Sequence, residues 1–202
     1  LRNINLKIKN NENWAILGAN GSGKSTLIKL FSNDLYPTTK YPFKKEIFGE
    51  ENWNIFELKK NLGIITNDLH NTFGSQGKYI TAYEVILSGF YSSIQIFNHQ
   101  DFTKEQHQKV LEVLEFLEIL ELKDKKVHQM STGQLRRCII GRALIHDPKA
   151  FILDEPTVGL DIKSQHSFIK LIQKVISKVF KQYFILPILR AYLCTTVLKS
   201  KD

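Results

Sequence analysis

One glycine-rich segment constrains this chain more than any other. Gly18-Ala19-Asn20-Gly21-Ser22-Gly23-Lys24-Ser25-Thr26 follows a short apolar run at residues 15–17 and leads into a helical stretch at residues 25–31. A strand, a glycine-rich turn and a helix in that order fit the phosphate-binding loop G-x-x-x-x-G-K-[ST]. Glycines let consecutive backbone N–H groups turn inward around phosphate oxygens. The helix start adds its partial positive charge. Lys24 would bring a full charge to the β- and γ-phosphates, and Ser25 would offer a hydroxyl to Mg²⁺. A glycine-rich turn with a chance Lys-Ser pair is the plainer alternative, but it does not account for the complete spacing between strand and helix.

The rest of the chain alternates strands with helices. Leu62–Thr66 and residues 149–153 are short apolar runs, the second continuous enough for a strand buried on both faces. Helical periodicity marks residues 104–122, where Val110, Val113, Leu114 and Leu117 share a face. It also marks residues 134–145, ended by Asp147-Pro148, and residues 163–180. Ile4, Leu6 and Ile8 alternate as in a strand, residues 36–50 suggest loops with short strands, and residues 70–82 are turn-rich. This order predicts an α/β fold with a mainly parallel sheet flanked by helices.

Composition narrows the function classes. Of 202 residues, 43 % are hydrophobic and 24 % charged, which excludes wholesale disorder. Cys138 and Cys194 lie far apart, against a secreted disulfide scaffold. The net charge of +8 comes mostly from scattered lysines, which reads as a solvated surface. With no RNA-recognition aromatics and no zinc-finger spacing, no nucleic-acid partner is expected. Residues 183–198 are strongly apolar, but they fall short of the roughly 20 residues a membrane span needs, and Pro187 and Arg190 interrupt them. A buried strand or helix, or a non-native tail, is the expectation there.

Two further motifs carry chemistry. Phe151-Ile152-Leu153-Asp154-Glu155-Pro156 is an apolar strand ending in two carboxylates, a Walker B pattern. Asp154 would hold Mg²⁺ directly or through water, and Glu155 would orient and deprotonate an attacking water. Alone, the pair could equally be an acidic turn before the next helix. Between the two motifs lies Met130-Ser131-Thr132-Gly133-Gln134-Leu135-Arg136-Arg137. It reads as a helix N-terminus capped by Ser131 or Thr132.

At this point the sequence resembles the nucleotide-binding subunits of ABC transporters, whose signature LSGGQ reads MSTGQ here. The P-loop, the signature, the Walker B strand and the following Gly159-Leu160-Asp161 occur in that family's order over roughly residues 1–180. The resemblance implies a P-loop NTPase fold with an inserted helical subdomain at about residues 83–135, in one domain spanning 1–202. It implies ATP and Mg²⁺ as ligands and hydrolysis coupled to transport. Partners would be a second nucleotide-binding subunit, paired head to tail, and a transmembrane permease, at the cytoplasmic face of the cell membrane. Gly18, Ala19, Asn20, Gly21, Ser22, Gly23, Lys24, Ser25 and Thr26 would hold one face of the nucleotide. Ser131, Gly133 and Gln134 would reach the γ-phosphate on the partner copy, and Asp161 would link the two sites. Catalysis would fall to Glu155 and Lys24, and metal binding to Ser25, Asp154 and Asn67. Val85, Ile86, Leu87, Phe90 and Tyr91 are expected either to line the groove for the membrane partner or to pack in the core.

The sequence also departs from the family pattern. Asn67 stands where a glutamine is expected, and either it or His70 would take that role. The adenine-stacking aromatic would precede Leu1, and Trp14 is either a replacement or a core residue. Stacking is worth roughly 1–3 kcal/mol, so weak ATP binding is expected. No histidine lies at 181–193, where the family has a switch histidine, and His166 comes too early. From about residue 182 the resemblance stops, as a truncated or frame-shifted reading would explain. The chain likewise starts as if its first strands were missing. A degenerate cassette that binds ATP without efficient turnover is therefore the alternative. A soluble DNA-repair or translation cassette would need long coiled coils or a second cassette, and a small-molecule kinase would leave MSTGQ unexplained.

Overall fold

The computed structural model describes residues 4–9, 12–38, 40–179 and 184–186. Four parallel strands form its sheet: β1 (Asn13–Ala15), β2 (Leu62–Thr66), β3 (Ala150–Asp154) and β4 (Phe184–Leu186), in the order β1-β4-β3-β2. The helices are α1 (Lys24–Phe31), α2 (Ile55–Asn61), α3 (Asn67–Ser75), α4 (Ala82–Leu87), α5 (Lys104–Phe116), α6 (Thr132–Leu144) and α7 (Ile162–Val179). The α/β reading with a parallel sheet is thus correct.

β2 and β3 pair in register from Leu62 opposite Ala150 to Thr66 opposite Asp154. Side chains on successive strand residues point to opposite faces, and both strands are apolar on both. Leu62, Ala150 and Ile152 pack with Ile28 of α1 and Leu58 of α2. Ile65, Phe151 and Leu153 enter a larger core with α4, α5, α6 and α7. That double coverage explains why β3 reads as an unbroken apolar run. Close approach fixes two glycines. A Cβ on Gly63 would stand 2.8 Å from the ring of its register partner Phe151, and one on Gly141 of α6 would stand 2.8 Å from Ile86 of α4.

Caps set the helix boundaries. Thr81 with Glu84 and Thr103 with Gln106 form capping boxes at the starts of α4 and α5. The expected helix at 104–122 is shorter: α5 ends at Phe116, Glu118 takes φ 57°, and Leu120–Leu122 is a separate 3-10 turn. Its apolar periodicity continued past the helix because Leu117 and Leu122 are buried whichever way the backbone turns. Residues 70–75, expected as turns, belong to α3, which Thr66 caps by accepting from the Leu69 amide. Residues 4–9 form no strand, β1 lies two residues earlier than the apolar run suggested, and the described residues of 36–50 hold only the bridge Ile47–Glu50. Val85, Ile86 and Leu87 are core residues, while Phe90 is half-buried and Tyr91 exposed. The reading of 183–198 falls mostly outside the described residues, with β4 the part inside them.

Candidate functional site

All four strands run the same way, so the segments after β1, β2 and β3 leave from one edge of the sheet. Crevices at that edge are where open parallel sheets bind ligands. The loop after β1 is the glycine-rich segment, and residues 18–22 are exposed. Gly21 (φ 76°) and Gly23 (φ 94°) occupy the left-handed region, which glycine enters without steric cost. Gly23 is the N-cap of α1 and supplies no side chain, so no side chain caps the first-turn amides. Lys24 Nζ donates to the carbonyls of Gly18 (2.8 Å) and Ala19 (2.9 Å), folding its ammonium back over the loop. An ammonium has three donors, and these two bonds leave one.

The loop after β3 carries the acidic pair. Asp154 is half-buried at the strand end, opposite Thr66, and Glu155 is exposed. Glu155 has φ 47°, a backbone conformation that costs a non-glycine residue energy and concentrates at functional sites. Gly159 (φ 78°) turns the chain toward α7. Asp161 then caps that helix, accepting from the Ser164 amide (3.0 Å) and hydroxyl (2.6 Å). These bonds hold the Asp161 carboxyl below its ordinary range.

Asn67 opens α3 directly after β2, one residue beyond the partner of Asp154. Its side-chain oxygen accepts from Arg136 Nη2 at 3.2 Å. His70, one turn on, is half-buried, and burial, then the Arg136 charge, push its pKa down. The signature segment begins α6. Of the two expected caps Ser131 is the one used: its hydroxyl accepts from the Gln134 amide (3.2 Å), and Gln134 Oε1 accepts from the Ser131 amide and from Lys125 Nζ (3.1 Å each). A Cβ on Gly133 would meet nothing nearer than Ser131 Oγ at 4.0 Å. Trp14 is half-buried, its indole N–H donating to Glu12.

The fold thus gathers residues 18–26, Asn67, Asp154 and Glu155 at one edge, and carries Ser131, Gly133 and Gln134 on α6. The ABC transporter family profile matches residues 1–158. This chain belongs to the ABC transporter ATP-binding family. Among its relatives is the Bacillus subtilis ABC transporter ATP-binding protein YlmA, 30 % identical over 88 % of this chain and 66 % of YlmA. The energy-coupling factor transporter ATP-binding protein EcfA3 of Clostridium perfringens is 34 % identical over 85 % of this chain and 57 % of its own length. The chain therefore spans less than two thirds of these relatives. Two solved ABC cassettes share its fold: cbiO1 of Clostridium perfringens, part of the transporter complex cbiONQ (28 % identity, TM-score 0.68, 91 % of this chain and 70 % of that one), and the dimeric bacterial cassette MJ0796 (27 %, TM-score 0.69, 93 % and 79 %).

Sequence reasoning missed one residue of this ABC cassette, Arg136. It is 1 % exposed, and besides Asn67 it donates through Nη2 to the Val158 carbonyl. A signal was available: Arg136 stands three and four residues before Ile139 and Ile140, on the stripe of α6 that faces the core.

Proposed function

We propose that this chain is the ATP-binding and ATP-hydrolysing subunit of an ABC transporter. It would pair head to tail with a second nucleotide-binding subunit and drive a membrane permease from the cytoplasmic face. The observation that carries the reading is the register of β2 with β3, which sets Asn67 and the Asp154–Glu155 pair at the sheet edge from which the Lys24 loop also leaves.

In this reading the uncapped amides of α1 and loop N–H groups other than that of Ser22, which donates to the Ala19 carbonyl, would receive the β- and γ-phosphates. Lys24 uses its third donor toward phosphate while two keep the loop folded. The donors suited to Mg²⁺ are hard oxygens: the Ser25 hydroxyl, the Asp154 carboxylate and the Asn67 amide oxygen. No group of three His, Cys, Asp or Glu side chains gathers among the described residues. That fits an ion which takes one or two protein oxygens and completes its shell with phosphate and water. Bound there, the ion would neutralise charge on the phosphates. Glu155, exposed beside Asp154, accepts the proton of the attacking water. Ser131, Gly133 and Gln134 of the second copy would close over the γ-phosphate, with the open face of Gly133 admitting it. Asp161 would bridge the two sites from the start of α7. No helix among the described residues is long and apolar enough to cross a membrane.

Steady-state Mg-ATP hydrolysis by purified protein tests the reading, with Lys24→Ala as the background control. Glu155→Gln is expected to lower kcat by about 10²–10⁴-fold, the usual worth of a general base. Wild-type turnover no faster than that of Lys24→Ala would refute the enzymatic part.

A further inference from the structure

Arg136 is the largest fully buried side chain among the described residues, and its surroundings suit a clamp better than a stabilising ion pair. Its Nε and Nη1 are buried with no partner among the described residues, so a single nitrogen, Nη2, makes its contacts. A buried guanidinium with idle donors stabilises a fold poorly, and an apolar side chain of similar volume often serves as well or better. What a methionine at 136 could not supply is the bond from α6 to two other segments. One is Asn67, next after the register partner of Asp154. The other is the Val158 carbonyl, in the turn between Glu155 and Asp161 where the Val158 amide donates to Glu155. The first lies beside Asp154 through the β2–β3 register, the second begins at Glu155, and neither belongs to α6. The helix that starts with Ser131 is therefore tied, through one nitrogen, to both backbones that place Asp154 and Glu155.

We propose that Arg136 is a positioning residue that locks the β2–α3 junction and the Glu155–Asp161 turn to the signature helix, so that the three segments move as one unit. The part that concerns catalysis rests on the ATPase reading above. Deleting the guanidinium uncouples the segments and misplaces Asn67 and Glu155, while the P-loop, which Arg136 does not touch, keeps its hold on nucleotide.

The test compares wild type, Arg136→Met, Arg136→Lys, Asn67→Ala and the double variant Arg136→Met/Asn67→Ala in the full chain. Amide hydrogen exchange is followed at residues 67–70 and 157–160, alongside kcat and equilibrium ATP binding. Arg136→Met is expected to speed exchange in both segments and to lower kcat about tenfold, with ATP affinity changed less than about threefold. Adding Asn67→Ala should cost less than about a further twofold, and Arg136→Lys should recover much of the loss. A merely structural role predicts a lower unfolding midpoint with unchanged kcat per folded molecule and additive effects, and that result overturns the proposal. If Arg136→Met does not fold, Asn67→Ala alone must speed exchange at 157–160, a segment it reaches through Arg136. Unchanged exchange there in Asn67→Ala overturns the proposal too. Should wild type turn over no ATP, the enzymatic reading fails while the exchange data still decide whether Arg136 couples the two segments.

Discussion

At the scale of single residues, two glycines with the same missing side chain have opposite roles. Gly63 lies on β2 against a fully buried ring, and an added Cβ would come within 2.8 Å of Phe151. Phe151 cannot swing away, because it fills the larger core between the sheet and its helices. Gly63→Val is therefore expected to lower stability by about 1–3 kcal/mol, the usual cost of overpacking. Gly74 lies near the end of α3, exposed, with nothing within 4 Å of a built Cβ. Gly74→Ala should raise stability by about 0.5–1 kcal/mol, since alanine gives up less backbone freedom on entering a helix. Urea unfolding midpoints of the two variants should move in opposite directions. If Gly63→Val matched wild type, the register of β2 on β3, and with it the placement of Asn67 beside Asp154, would need revision.

Among the elements, what the sequence revealed and what it hid divide along physical lines. The loop around Lys24, the acidic end of β3 and the cap at Ser131 were legible because each is a local pattern whose chemistry dictates its backbone. β2 was readable to the residue, since Leu62–Thr66 is apolar on both faces. The end of α5 was not, because residues buried in a turn continue the periodicity of the helix before it. Nor was the start of α3: Thr66 caps it through a side chain that also fits a strand. Arg136 escaped notice because its partners lie 69 and 22 residues away in sequence. Asp161 was expected only to act between subunits, and within its own chain it is the N-cap of α7. That capping role makes a pH prediction. Bonds from Ser164 lower the folded pKa of Asp161 below its ordinary 3.8. A depressed carboxylate contributes stability above its unfolded pKa and loses it as pH falls through the folded one. Asparagine caps as well as aspartate but carries no charge. The stability advantage of wild type over Asp161→Asn should hold steady above the ordinary aspartate range and shrink as the pH falls below its ordinary 3.8. Denaturant midpoints across that range check it, and a constant gap would mean that the Asp161 charge does not support α7.

For the whole molecule, the loop after β1 and the start of α6 would be separate half-sites in the proposed function. The exposed loop holds backbone donors and an ammonium, while the helix start holds a hydroxyl, an open glycine and the helix's partial positive charge. A triphosphate bound on the loop keeps one side of its charge in water. In the proposed pairing, closing a second copy over it would replace that water with the donors of Ser131, Gly133 and the first turn of α6. Nucleotide would therefore favour the pair by its differential contact with the closed state, and loss of the γ-phosphate would remove the difference. The related cassette MJ0796 is itself dimeric. Slowing hydrolysis should reveal such a pairing. With Mg-ATP, Glu155→Gln is expected to double its mass in light scattering, and with Mg-ADP to remain monomeric. The combined variant Lys24→Ala/Glu155→Gln should stay monomeric with either nucleotide. Adding a bulky residue at the open position tests the second half-site separately. Gly133→Trp should bind ATP as wild type does, because its own loop is untouched, yet fail to dimerise in the Glu155→Gln background. Dimerisation that survived Gly133→Trp would place the contact between copies somewhere other than the start of α6.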